Sequence, residues 1–409
     1  MPDLSTRNLI CIVTAPVVTA IISIIASSTI ITNILRSNLK LSTIYRRLVF
    51  SLSVFDIVLS CSQVLSTFAM PAGTMKGSIG NEVTCSIQGC LFVIGMIGVN
   101  LYNLSLSVYF LLVIKYDINE ERIKKYVEPF LHAIPIACAI SVSTYLFAKQ
   151  KFGPAGTTCW IESEPLPGCE NGSQLDCLSL GKPDVTRMLI GGMSIVLFVF
   201  VSTSIIMVVI WRTFSNQIRR QPYRNSLTSS RRTTTQRNTQ TSEEVTQTGE
   251  SCCALCPIRL CSIRSASSQQ NNNLSSSVLA DRLSRPSNAS TQRLKDISYR
   301  AIAYILSYLI CHFFVFIILP IEIHSGSPAP YFLYFLARLL FPLQGFLNVL
   351  VYTYPHVASY RRNHSELNWF QAFWNVVRSG GDSDQLHVGT RRGRRERKQR
   401  NSIAVPLEV

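Results

Sequence analysis

Few residues in this chain are placed to do chemistry inside an apolar environment. Asp56 is the one charged residue in the run 48–75, and Arg338 is the one in 331–354. An unpaired charge at the centre of a membrane helix costs about 2.5–3.5 kcal/mol, so both side chains are expected to face a bundle interior. Asn103 and Asn348 fall at depths compatible with Asp56 and could form a polar cluster with it, with or without a cation. Such a network can be a switch, or it can simply hold helices together at roughly 0.6 kcal/mol per bond. Arg338 lies seven residues into its run, roughly 10 Å below one boundary at 1.5 Å per residue. Its guanidinium stays ionised. Either it pairs with Glu322, at the end of the preceding run, or it offers its fork of donors to an anionic ligand, a carboxylate or a phosphate.

No catalytic set accompanies these residues. A membrane serine protease would want a Gly-x-Ser-x-Gly-type nucleophile beside a histidine, and His132 and His312 have no such partner. An aspartyl protease of the membrane needs two aspartates, and Asp56 stands alone. No lysine occurs in 331–354, which excludes a retinal Schiff base on that run. The expectation is a protein that is not an enzyme and uses no cofactor and no metal.

The elements that carry these residues are apolar and long. Of 409 residues, 47% are hydrophobic and 15% charged, too apolar for an ordinary soluble protein. Residues 86–114 contain no Asp, Glu, Lys, Arg or His. Those 29 residues make about 43 Å of helix, enough to cross a ~30 Å hydrocarbon layer with tilt. Asn100, Asn103 and Ser107 lie close to one face, which suits the centre of a bundle. Runs at 8–35, 48–75, 129–148, 188–211, 301–321 and 331–354 bring the spans to seven. Pro135 predicts a kink in the fourth, and Pro342 with Gly345 allow one in the seventh. The expected fold is an all-α membrane protein, a seven-transmembrane helix bundle occupying 1–377.

The net charge of +16 is concentrated in particular loops and in the tail, which reads as positive-inside topology and not as nucleic-acid binding. Arg36, Lys40, Arg46 and Arg47 crowd the first loop; the loop after the fourth span carries Glu162, Glu164, Glu170, Asp176 and Asp184. The N-terminus is therefore expected outside, the C-terminus in the cytoplasm, and the whole at the plasma membrane. Residues 212–296 are rich in Ser, Thr, Gln, Asn and Arg, with no period, and predict a disordered third cytoplasmic loop. That loop carries a basophilic kinase-like stretch at Arg231–Thr234 and the cysteines 252, 253, 256 and 261, read as palmitoylated or plain reduced thiols. After the seventh span, 365–377 shows an apolar stripe of Leu367, Phe370, Phe373, Trp374 and Val377. This predicts a short interfacial helix capped by Ser365, with a disordered basic tail at 378–409. The last residues, Pro406 to Val409, could add a strand to a PDZ edge.

Thirteen cysteines do not form a small disulfide scaffold. Cys85 begins the third span and Cys159 lies in the facing outer loop, where an oxidising exterior permits a bond. Cys169 and Cys177 could pair within the same loop, and Asn171 heads a glycosylation sequon there.

Seven spans, an outside N-terminus, the Cys85/Cys159 pair, a long third inner loop and a short interfacial helix together resemble the G-protein-coupled receptor superfamily. Arg46–Ser60, Pro342–Tyr352 and Gln88-Gly89 are similar to the cyclic-AMP-receptor-like group more than to the rhodopsin class. Lys115-Tyr116-Asp117 stands where the rhodopsin class has Asp-Arg-Tyr, and Asn348 to Tyr352 lacks the proline of Asn-Pro-x-x-Tyr. The resemblance implies a receptor for an extracellular ligand coupled to a heterotrimeric G protein, with Lys115, Tyr116, Asp117 and Arg300 as contact candidates. It does not imply that cyclic AMP is the ligand. The rival expectation is a transporter or channel with Asp56 and Arg338 on its path.

Overall fold

The computed structural model describes residues 6–75, 77–155, 157–161, 194–216, 286–325 and 330–379, without the side chains of 6, 9, 286–294, 319, 320 and 322–325. Two compact units divide the chain, Met1–Ile210 with Tyr299–Val409, and Trp211–Ser298. In the second unit the described residues, 211–216 and 286–298, are helical. The first unit contains the bundle.

The chain runs α1 (Thr6–Arg36), α2 (Ile44–Leu65), α3 (Glu82–Ile114), α4 (Glu128–Ala148) and a hairpin of β1 (Phe152–Ala155) and β2 (Thr158–Ile161). It continues through α5 (Ser194–Asn216), α6 (Pro286–Ser325), α7 (Tyr331–Leu340), α8 (Gln344–Asn363) and α9 (Trp369–Arg378). Among the described residues, seven stretches are helical, long and apolar enough to cross a membrane: Ile10–Arg36, Ile44–Ala69, Glu82–Ile114, Glu120–Ala148, Ser194–Asn216, Lys295–Ile318 and Tyr331–Asn363. By length and composition the chain is a multi-pass membrane protein.

The third helix is the centre. Inside the bundle lies 67% of its most apolar window, against 28% for the fourth stretch and 22% for the fifth. It packs on α2, α4 and the hairpin. Close approach to α2 depends on glycine: a Cβ at Gly95 would sit 2.6 Å from the Leu59 backbone, and one at Gly98 would run into the Phe55 ring. Small residues let apolar helices approach closely where no hydrophobic effect drives them together.

Several boundaries differ from the sequence expectation, each for a local reason. The second helix begins at Ile44, because the Thr43 side chain accepts the Arg46 N–H as an N-cap. Its α-helical part stops at Leu65, and a 3-10 turn, Ser66–Ala69, follows. Ser66 takes a positive φ of 42°, and Pro71 lies just beyond. The third helix starts at Glu82, capped reciprocally by Asn81 and Thr84. The fifth runs on to Asn216 and the sixth starts at Pro286, so 212–216 and 286–296 are helix although their composition predicts disorder. The seventh stretch breaks into a 3-10 turn at Phe341–Leu343, around Pro342, then continues through Pro355 to Asn363. The short helix after it starts at Trp369, capped by Asn368 and Gln371 instead of Ser365. Its Ala372 and Val376 bury against Val357, while Phe370 and Trp374 face outward at 63% and 48% exposure. Of the predicted apolar stripe, Phe373 packs against this inner cluster while Phe370 and Trp374 point away from it.

Candidate functional site

Two ends of the bundle carry organised polar chemistry. At the hairpin end the sulfurs of Cys85 and Cys159 lie at the disulfide distance of 2.04 Å and are buried with Met70. Beside them Gln88, fully buried, joins three elements. Its Nε2 donates to the Ser62 and Ser66 carbonyls, both at 2.9 Å, and to Thr158 Oγ1 at 3.1 Å. Its Oε1 accepts the Cys159 N–H at 3.1 Å. The carbonyls released where α2 ends are thereby satisfied from α3.

Below the hairpin is a cavity of about 260 Å³. Its wall takes Gln63 from α2; Phe92, Met96 and Asn100 from α3; Ala155, Thr158 and Trp160 from the hairpin; and Val196 from α5. His312, Val315 and Ile318 come from α6, Tyr334, Ala337 and Arg338 from α7, and Phe341 and Pro342 from the turn. Arg338, half-buried, has no ion pair among the described residues, and its Cζ lies 6.0 Å from the Tyr334 ring centroid. The Glu322 side chain, its predicted partner, lies outside the described residues. At the cavity floor the Tyr308 hydroxyl donates to Asn100 Oδ1 at 2.6 Å, joining α6 to α3. His312 is 1% exposed, and its Nδ1 lies 3.0 Å from the Tyr308 carbonyl.

Deeper, Asn348 Nδ2 donates to Asp56 Oδ2 at 2.9 Å, and Asp56 is 2% exposed. Two of the three residues expected to cluster therefore meet. Asn103 does not join them: its Nδ2 donates to Val99 O in its own helix at 2.8 Å. Asn100, about one turn earlier, likewise donates to its own helix, to Met96 O at 2.8 Å, but its Oδ1 accepts from Tyr308 on α6.

The opposite, basic end is held by charge. Arg47, on α2, grips Glu128, on α4, with both arms of its fork: Nε to Oε1, and Nη2 to Oε2 at 2.8 Å. Arg47 Nη1 also donates to the Leu41 and Ser42 carbonyls, at 2.6 and 3.1 Å. The Tyr45 and Tyr304 hydroxyls meet at 3.1 Å, and the Arg300 guanidinium lies 5.9 Å from the Tyr45 ring centroid. Arg300, a contact candidate from the sequence, is half-buried on this aromatic face. Lys115, Tyr116 and Asp117 close α3 at this end, with Tyr116 56% exposed and Asp117 at a φ of 49°.

Sequence reasoning missed Gln88 as a hub, the Arg47–Glu128 pair, Trp160 and His312. A histidine in an otherwise charge-free span was the available signal for His312; nothing in the local pattern marks Trp160 beyond its place after Cys159. The expectations for Cys169, Cys177, Asn171, the kinase stretch, the cysteines 252–261 and the chain beyond 379 lie outside the described residues. Among the described residues, no three His, Cys, Asp or Glu side chains gather to hold a metal. No protein-family model matches the chain, and no curated protein matches it. What fold and site define is a multi-pass membrane protein with seven helices able to cross the bilayer and a cavity under a disulfide-tied hairpin.

Proposed function

We propose that the chain is a seven-helix receptor of the plasma membrane, with the hairpin end and N-terminus outside and the basic end in the cytoplasm. A ligand enters the cavity under the hairpin, and the basic end then promotes nucleotide exchange on a heterotrimeric G protein. The observation that carries this reading is the cavity floor. Asn100 and His312, which line the cavity, are bonded to Tyr308, so an occupant presses on the α3–α6 contact. Four residues earlier on the same helix, Tyr304 meets Tyr45 at the basic end. A ligand that favours one arrangement of α6 over another would shift a two-state equilibrium at both ends. Exposed Lys115, Tyr116 and Asp117 are the G-protein contacts in this reading. The outward Phe370 and Trp374 of α9 rest in the inner membrane interface. Kinases acting on the third loop and a PDZ protein at the tail are further partners of the same reading.

A conducting path through Asp56 and Arg338 draws less support, since Asp56 is bonded to Asn348 and is not part of the cavity wall. The test is guanine-nucleotide exchange on a co-expressed heterotrimeric G protein, run over a ligand library, beside uptake and current in vesicles holding the same chain. Ligand-dependent exchange without flux is expected. Flux with no exchange under any ligand would overturn the proposal.

A further inference from the structure

Three side chains of the cavity wall carry a buried polar atom without a hydrogen-bond partner: Trp160 Nε1, His312 Nε2 and Arg338 Nε. Buried polar groups are rarely left so, because the unpaired state forfeits hydration with nothing in return. Their chemistry is specific. Trp and Arg nitrogens only donate. His312 Nδ1 faces the Tyr308 carbonyl, which can only accept, so Nδ1 carries the hydrogen and Nε2 of the neutral ring is left as an acceptor. The wall therefore asks its occupant for an acceptor near Trp160 and Arg338 and for a donor near His312.

Charge narrows the occupant further. Arg338 is a permanent cation, and among the described lining residues there is no carboxylate to oppose it. One cation in a mostly apolar wall matches one negative charge; a dianion would bring an uncompensated charge into the same space. Shape is set by rings. Trp160 and Phe92 lie 5.5 Å apart between centroids, Phe92 and Phe341 6.3 Å, and Phe341 and His312 5.3 Å. These four rings form a continuous aromatic wall, suited to a flat ring in offset or edge contact. At about 260 Å³ the cavity falls just under the roughly 300 Å³ at which ordinary ligand pockets begin.

Resting on the receptor reading above, we infer that the ligand is a small aromatic monocarboxylate carrying a second hydrogen-bond donor. Its carboxylate meets Arg338 and Trp160, its ring lies against Phe92 and Phe341, and its donor meets His312. Arg338 thereby takes the ligand role left open beside a pairing with Glu322.

The test uses the full chain in lipid nanodiscs and four probes: 4-hydroxyphenylacetate, phenylacetate, 4-hydroxyphenylacetamide and tyramine. Saturable binding and thermal shift are measured for each. The hydroxylated acid should bind roughly tenfold or more tightly than the matched amide, and tyramine should not bind. Phenylacetate should fall between acid and amide. Arg338→Gln should bring the acid down to the level of the amide and leave the amide unchanged. His312→Phe should erase the difference between the two acids alone. Equal binding of acid and amide to the unaltered chain would overturn the inference. So would a preference that survives Arg338→Gln, or no saturable binding of any probe at millimolar concentration. The unaltered chain decides the matter even where a variant fails to fold. Acid binding without nucleotide exchange would overturn the receptor reading and leave this inference standing. Exchange driven by an amine that the acids do not displace would overturn this inference and leave the receptor standing.

Discussion

The two ends of the bundle solve opposite problems with the same kinds of side chain. At the basic end the main tie is ionic: Arg47 spends its fork on Glu128 and its remaining arm on two carbonyls, and Arg300 lies over Tyr45. At the hairpin end, neutral Gln88 and a disulfide hold the backbone, while Arg338, Trp160 and His312 keep unpartnered nitrogens around a cavity. Both ends keep some unpartnered polar atoms, Arg300 Nε and His132 Nε2 at the basic end among them, but only at the hairpin end do three such atoms line one cavity, where the proposed ligand would meet them. The pairs at the basic end are then the contacts whose strength sets how readily the bundle rearranges.

The comparison can be broken first at Gln88. Gln88→Leu removes the four bonds that join α3 to the end of α2 and to the hairpin, and sets an apolar side chain against the polar groups they engaged. A loss of about 3 kcal/mol is expected, with faster proteolysis between β1 and β2 and loss of ligand binding. Thermal melting and limited proteolysis of the purified chain measure it. Unchanged melting would mean that the hairpin is held by the disulfide alone.

Next is the basic end. Glu128→Gln turns a charge-assisted fork into neutral contacts, for an expected loss of about 2 kcal/mol. Arg47→Gln should cost more, because the Nη1 bonds to the Leu41 and Ser42 carbonyls go too, and the double variant little more than Arg47→Gln alone, as a double-mutant cycle on melting would record. Ligand affinity at the hairpin end should change far less than melting does. A large affinity change would mean that the two ends are coupled more tightly than their separate bonding implies.

The smallest effect belongs to Tyr45→Phe, which deletes one hydroxyl contact to Tyr304 and keeps the ring packing with Phe110. About 1 kcal/mol is expected. If α6 moves between states, basal nucleotide exchange should rise while melting barely shifts; the reverse pattern would make the tyrosine pair a purely structural contact.

Much of the fold was legible in the residues themselves. Apolar runs long enough to cross a bilayer declare their number and order by composition, because lipid admits backbone only as helix or closed barrel. Asp56 and Arg338 were visible as isolated charges, and Asp56 with Asn348 as a depth match. Partner choice was not legible. Asn100 and Asn103 share nearly the same face of α3 and each donates to a carbonyl of its own helix, and only the rotation and packing of that helix bring the Tyr308 hydroxyl to Asn100 Oδ1. Ends of helices were misread wherever a cap or a borrowed donor decided them, as Thr43, Asn368 and Gln88 did, since hydropathy says nothing of who satisfies a terminal carbonyl. Trp160, His312 and Arg338 are scattered over 179 residues of sequence, from 160 to 338, and become one wall only through tertiary contact. The sequence by itself determined which residues must leave water; the tertiary structure decided which of their polar atoms would be paired and which left open, because pairing depends on relative helix position, which no local pattern encodes.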